Sequence, residues 1–574
     1  MMLYNGELKK NGIRLVSGII CCCFFFCIHF FGGHVRYQTN DDEIMNLIAA
    51  GAYGPDSQFL TYSNIVYGMV LKCLYSLLPE VNVYLWLGLI LKLGCLICLC
   101  IVVSRNCDLI NGLLITVLIN LVLVSDLYNE LQYSKDAFFY SVLGIVFLLY
   151  AYREHEQNTN WFLFLIGEVM FCFGLMRRKE CFFVTVPLGM MIIGMHLLMG
   201  AFHKKRIKYW GIVVLVASGL VGTLLLVNHL AYYRDPEWKE YSVANKYRSE
   251  LNDYGFLSYD YSTEEYDEQG ITKTDLWMIE KWAAGDRSVF SSFFLEKVMN
   301  ARNQNQSFEM RITMHVIYKL FHQLKENFCK NIYATIWLIL FIFLLFSKRN
   351  PKGKILLFFC IEGVYLFLLY WYLVCRGRFM EHIEKGIWMS LLLLTVSWFL
   401  YNNGLKAEKR ILRYGIIFVS MLFLVLDLLD MMYILRLEKY SVFFPDEYQE
   451  GYEFYAAIQE DREHVYILDV YSSGKGMGIQ NILSIDRSYA GFYANMMWLG
   501  GWQTPSPLSY YYQRETGIDN PIWTLLKCNR ALLVAETDHA IYIQQYLQEH
   551  YGDEYLLKQE GVIKDIPLWK VRKR

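Results

Sequence analysis

The feature that most limits what this chain can become is a succession of long apolar runs. They fall at about 13–32, 83–103, 109–125, 137–152, 161–176, 181–200, 209–228, 331–347, 355–374, 386–401 and 414–434. A helix crosses a bilayer core with roughly 20 apolar residues. The pattern therefore predicts a mostly α, polytopic membrane protein with about eleven transmembrane helices. Composition agrees: 55% of the 574 residues are hydrophobic and only 19% are charged, too apolar a balance for an ordinary soluble protein. A net charge of −1 implies no polyelectrolyte partner, so no nucleic acid. Lys9, Lys10 and Arg14 precede the first run much as they would in a signal peptide. No small-residue cleavage site stands before His34, and the run is expected to be a retained first helix. Of 15 cysteines, Cys21, Cys22, Cys23 and Cys27 lie in the first run, and Cys95, Cys98 and Cys100 in another, where thiols behave as small apolar groups. No paired CxxC spacing suggests zinc or a disulfide framework.

Orientation follows from the basic residues of the short loops. Lys9, Lys10, Arg105, Arg153, Lys204, Lys205, Arg206, Lys208, Lys348, Arg349, Lys406 and Arg410 fall on one side, which predicts a cytoplasmic N-terminus. The other side then receives a first outer loop at 33–82, a large outer loop at 230–330 and the segment 435–574. Within 1–434, the transmembrane domain, the stretch 59–79 reads either as a span or as a helix in the outer interface, since Tyr62, Tyr67 and Tyr75 suit an interface. The large loop carries helical runs around 274–284 and 291–302. Strand-like runs at 464–471 and 531–536, a helix at 538–550 and a hairpin-like tail make 435–574 a small extracytoplasmic α/β domain. The expected location is an integral, multi-pass position in a bacterial plasma membrane.

Charges cluster on the predicted outer face. The first cluster is Asn40-Asp41-Asp42-Glu43, at the start of an amphipathic run. One reading is helix capping, with Asn40 as N-cap and Glu43 reaching back in a capping box. Capping leaves the two adjacent aspartates over, and acids at a membrane face mark sites. The second cluster holds Glu130, Lys135 and Asp136, the third Arg177, Arg178 and Lys179, and the fourth Arg376 and Arg378 around Gly377. Each also has a structural reading, as a local ion pair or as charge neutralising lipid headgroups. Together they bring carboxylates, one of which could act as a general base, to face cations that could stabilise a leaving phosphate.

In this arrangement the chain resembles the GT-C superfamily of polytopic membrane glycosyltransferases, in the layout shared by protein O-mannosyltransferases and lipid A aminoarabinose transferases. Asn40-Asp41-Asp42-Glu43 looks like their first-loop acidic motif. On that match Asp42 takes the catalytic position, Glu43 the following Glu, and Asp41 is the alternative. The Pro-Pro-Leu-x-x-Trp pattern of better-known members is replaced by Thr61-Tyr62-Ser63-Asn64. The resemblance implies a sugar donor on a polyprenyl-phosphate carrier and direct, inverting transfer to a glycan, lipid or protein of the cell envelope. It leaves metal unassigned: some relatives use a divalent cation, but two aspartates supply too few oxygens for a hard cation. Arg177, Arg178, Lys179, Arg376 and Arg378, with Lys135, Glu43, Glu130 and Asp136, are the candidate donor- and substrate-binding residues. Trp498, Trp502 and Tyr510–Tyr512 could stack on sugar rings or simply pack. The competing readings are a polysaccharide polymerase and a lipid-linked sugar transporter or flippase, although no internal repeat of the transporter kind is visible.

Overall fold

The computed structural model describes residues 2–32, 35–105, 107–153, 158–199, 203–256, 258–305, 313–346, 352–402, 446–473 and 491–574, with isolated positions between 415 and 429. Its helices, in chain order, are α1 (Met2–Gly32), α2 (Asn40–Ala49), α3 (Ile65–Leu77), α4 (Val83–Ser104), α5 (Leu109–Val124), α6 (Tyr133–Ala151), α7 (Trp161–Arg177), α8 (Lys179–Met199), α9 (Lys204–Arg234), α10 (Pro236–Tyr254), α11 (Thr263–Glu268), α12 (Lys273–Glu280), α13 (Ser292–Asn305), α14 (Met314–Lys330), α15 (Ile332–Phe346), α16 (Lys352–Arg376) and α17 (Glu381–Tyr401). Among the described residues, eight helices are long and apolar enough to cross a membrane, or nine if α14 and α15, bent by 91°, count as one span. Beyond that bent pair, the difference from eleven lies in α7, only 17 residues long, and in 414–434, which falls almost entirely outside the described residues. The stretch 59–79 holds α3, 13 residues long and too short to cross.

At the centre of the bundle α6 is buried nearly all round. It meets α7 through glycines. A Cβ on Gly144 would lie 2.5 Å from the Phe171 nitrogen, and one on Gly174 would lie 2.8 Å from the Ala137 carbonyl oxygen. Small residues let helix backbones approach in an apolar solvent that offers no hydrophobic drive to associate.

The acidic run opens α2, but not through the expected cap. Thr39 is the N-cap, in extended backbone, and its side chain makes no capping hydrogen bond. Asn40 is already helical, so the capping box expected of Asn40 and Glu43 is absent. The three acids still lie in the first turn, where the helix dipole favours them. Two short parallel strands, β1 (Arg36–Tyr37) and β2 (Glu130–Leu131), tie the chain before α2 to the chain before α6. A second small ladder joins β3 (Tyr152–Arg153) to β4 (Asn158–Thr159).

The C-terminal segment builds a five-stranded sheet from β5 (Val465–Leu468), β6 (Met496–Trp498), β7 (Ala531–Val534), β8 (Tyr555–Ile563) and β9 (Ile566–Lys573), in the order β6-β5-β7-β9-β8. The first three strands are parallel and buried; β8 and β9 form the expected hairpin on the edge. This sheet shares an apolar core with the large loop: Leu276, Met278 and Ile279 pack with Ile467, Leu533 and Leu547. Two backbone hydrogen bonds lace them further, Gly501 N–H to the Trp282 carbonyl at 2.7 Å and Gly285 N–H to the Leu499 carbonyl at 2.9 Å. Glycine is required there, because a Cβ on Gly500 would sit 2.0 Å from the Trp282 oxygen.

The α6–α7 contact makes a testable demand. Gly174→Ala should cost about 1–3 kcal/mol through overpacking, read as a lower unfolding temperature of the detergent-solubilised protein. Gly219→Ala in α9, with nothing within 4 Å of its Cβ position, should be neutral or slightly stabilising through helix propensity.

Candidate active site

The two aspartates of α2 part company. Asp42 is 1% exposed and turned into protein. It accepts from the Tyr84 hydroxyl at 2.7 Å, the Tyr133 backbone N–H at 3.1 Å and the Arg177 guanidinium at 3.4 Å. Arg177 also donates to Asp136 at 3.1 Å, and Asp136 accepts from Lys92 at 3.0 Å. Four buried charges of alternating sign thus run Asp42–Arg177–Asp136–Lys92, linking α2, α7, α6 and α4. The rings of Tyr67 and Tyr84 lie 4.8 and 4.9 Å from the Arg177 guanidinium. Burial pushes the Asp42 carboxyl up to about 7, while Arg177 and the Tyr84 hydroxyl pull it the other way.

Asp41 instead lies on the wall of a cavity of about 980 Å³, a size suited to a sizeable ligand. The Tyr133 hydroxyl is 3.4 Å from its carboxylate. Burial raises its pKa above the ordinary aspartate value, and Arg178 and Arg248 work against that rise. Tyr133 therefore touches both acids, Asp42 through its backbone and Asp41 through its side chain.

Several parts of the chain close this cavity. α2 contributes Asn40, Asp41 and Ile44; the α7–α8 junction contributes Arg178 and Glu180. From α10 and the loop after α12 come Arg248, Glu250, Asp253, Tyr254 and Trp282. Leu369, Tyr372 and Leu373 at the end of α16 give an apolar wall, next to Arg376, Arg378, His382 and Glu384. The carboxyl side of the C-terminal sheet adds Tyr471, Trp498, Trp502 and Gln503. The open ends of parallel strands are where α/β sheets commonly receive ligands.

The wall is held in shape by strained backbone. Thr61, β-branched, has φ 65°, and Trp282 has φ 56°. Such positions cost about 1–3 kcal/mol each and persist only where their surroundings over-determine them. Thr61 is pinned by the hydroxyls of Tyr232 and Tyr241, each at 3.0 Å, and the Tyr241 hydroxyl also donates to the Trp502 carbonyl at 2.9 Å. This sets the Tyr62 ring 4.9 Å from Trp502.

The cationic candidates separate as well. Arg178 reaches the cavity, donating to the Ser134 hydroxyl and lying 4.9 Å from the Tyr133 ring. Arg177 is not on the wall; it is spent on Asp42 and Asp136. Lys179 is exposed, 3.7 Å from Glu180. Lys135 sits 2.6 Å from Asp126, and Glu130 takes Arg36 at 2.8 Å, in a second network with Lys385. Lys135, Glu130 and Asp136 therefore hold helices together rather than line the cavity. Glu43 is buried on the side of α2 that interacts with Tyr455 and Tyr493. Arg376 and Arg378 line the cavity, paired with Glu250 at 2.8 Å and with Asp253. Trp498 and Trp502 line it too, whereas Tyr510–Tyr512 do not.

Arg248 escaped the sequence reading. It is 5% exposed, stacked 4.8 Å over Trp282, and hydrogen-bonded by the side chains of Asn245 and Asn252. No ion pair to it is found among the described residues. Its signal was an arginine amid the acids of a polar helix, which reads as a solvated face. Lys92 was also missed, although a lysine inside the apolar run of α4 was visible.

Among the described residues no group of three or more His, Cys, Asp or Glu is placed to hold a metal ion. Asp41 and Asp42 diverge, so they do not offer two carboxylates to one cation. Comparison with family models, curated proteins and solved structures finds no match to this chain.

The buried charge chain has a measurable weight. Arg177→Gln leaves Asp42 and Asp136 without their shared cation and should destabilise the protein by about 3–5 kcal/mol, seen as a large fall in unfolding temperature. Lys179→Ala, on an exposed side chain, should change it little.

Proposed function

We propose that the chain is a membrane glycosyltransferase that moves a sugar from a polyprenyl-phosphate carrier to an envelope acceptor, with Asp41 as its base. One observation carries this reading: Asp41 is the acid of the α2 motif that lines the large cavity, with Arg178 and Arg248 close enough to act on its charge. Asp42, first choice on the family resemblance, becomes the residue that anchors α2 so that Asp41 faces the cavity. The apolar wall from α16 suits a lipid chain, and the aromatic and amide groups of the C-terminal domain suit a sugar.

In this reading an acceptor hydroxyl gives its proton to Asp41. Its oxygen then forms a bond to the anomeric carbon as the carbon–oxygen bond to the carrier phosphate breaks, with inversion. The phosphate leaves with the bonding electron pair toward Arg178 and Arg248, whose guanidinium groups suit an anion's planar faces. Positioning of both substrates in one cavity supplies much of the rate. The membrane would be a bacterial plasma membrane, with the cavity on its outer side.

The test is transfer from labelled polyprenyl-phosphate sugars in membranes carrying the protein. Asp41→Asn should lower transfer about 10²–10⁴-fold, as loss of a general base does, at unchanged protein level. Asp42→Asn should instead reduce the amount of folded protein. Because the base must be ionised, and burial raises the pKa of Asp41, activity should decline with falling pH at a value above the ordinary aspartate range. Carrier translocated without any transfer by wild type would favour a flippase.

A further inference from the structure

Two cavity arginines are already occupied, and the occupants are the chain's own acids. Arg376 ends α16 and Arg378 follows Gly377, whose φ of 73° turns the chain toward α17. Arg376 holds Glu250 at 2.8 Å and lies 3.8 Å from the Tyr254 ring; Arg378 holds Asp253. All four charged side chains are between 17% and 33% exposed, so water reaches them from the cavity. Leu369, Tyr372 and Leu373, on the turns of α16 just before, form an apolar wall that leads up to this pair.

We propose that Arg376 and Arg378 are an anion subsite for the phosphate monoester of the lipid carrier once it has left the reaction centre at Arg178 and Arg248, and that Glu250 and Asp253 are internal stand-ins for that monoester. The inference rests on the lipid-phosphate donor reading and deepens it. Two carboxylates present about the same negative charge as one phosphate monoester, and the guanidinium fork binds either. Partly exposed ion pairs contribute little, so they yield to a stronger competitor. The lipid brings an additional contribution that the carboxylates lack, burial of its chain against the α16 wall. Release of Glu250 is eased because Arg302 lies 3.6 Å from its other oxygen. Glu250 and Asp253 share α10 with Arg248, which stands near Asp41. Docking of the carrier would therefore loosen the helix that carries one of the reaction-site cations.

The experiment is equilibrium binding of farnesyl phosphate to the full-length protein in detergent, with inorganic phosphate and farnesol as comparisons. Glu250→Gln with Asp253→Asn removes the stand-ins and should tighten farnesyl phosphate binding roughly tenfold. Arg376→Gln with Arg378→Gln should weaken it at least tenfold. In the wild type, farnesyl phosphate should also speed backbone hydrogen exchange in α10, a readout that does not depend on any variant folding. Unchanged or weaker binding by the acid-to-amide variant would mean the acids only brace the loop, and would overturn the proposal. Equally tight binding of inorganic phosphate would overturn the lipid assignment. Binding that depends on Arg178 but not on Arg376 and Arg378 would sink this subsite while leaving the glycosyltransferase reading intact. Absence of farnesyl phosphate binding in every form would remove both.

Discussion

One guanidinium, that of Arg177, sets where everything else in the site can be. It stands between Asp42 and Asp136, and Asp136 in turn holds Lys92. Charges buried this deeply are costly without partners, so each member of the chain fixes its neighbours. The result is a bond between α2, which does not cross the membrane, and α4, α6 and α7. Tyr133 continues the same logic by touching both aspartates. Asp41 owes its place on the cavity wall to the anchoring of Asp42 beside it.

The cavity arginines illustrate how one residue type takes different parts according to its neighbours. Arg178 leans on a hydroxyl and an aromatic ring, with Glu180 a looser partner at 3.7 Å, and Arg248 leans on neutral amides and an indole, so both keep charge directed at Asp41. Arg376 and Arg378 face carboxylates. A guanidinium held mainly by neutral groups presents its field to a ligand; one closely paired with an acid presents it only after exchange. The same amino acid thus takes two different roles on the wall of one cavity.

Much of the architecture could be read from the chain because hydrophobic periodicity is local. The apolar runs that fall within the described residues, the helices within the large loop, the β5 and β7 strands, the long helix after β7 and the terminal hairpin emerge near their expected positions. Charge asymmetry between loops put the first outer loop, the large loop and the C-terminal segment on one expected face; that they close a single cavity emerges only from the fold. Three things were not. The N-cap is Thr39 rather than Asn40, because Thr39 holds the last extended backbone before the helix and such angles are not written in the residue type. Strand β6 was missed, because Met496–Trp498 is three residues long with no alternation. The division of labour between Asp41 and Asp42 was hidden, because adjacent helical residues point about 100° apart and only tertiary packing decides which faces a cavity. Lys135, Asp136 and Arg177 read as ligand-binding candidates for the same reason: a charge at a membrane edge looks alike whether it meets a substrate or a neighbouring helix.

The lacing of Leu499–Trp502 onto Trp282 and Gly285 bears on how this protein comes into being. Asp41 is made well before Trp502, yet they line the same chamber. Chains are synthesised and folded from the N-terminus, so the spans can be in place while the chamber is still roofless. Its strained turns at Thr61 and Trp282 gain part of their support only when the final domain arrives. Until then the apolar wall and the cations stand open, and the chamber takes its shape only when the C-terminal segment folds over it.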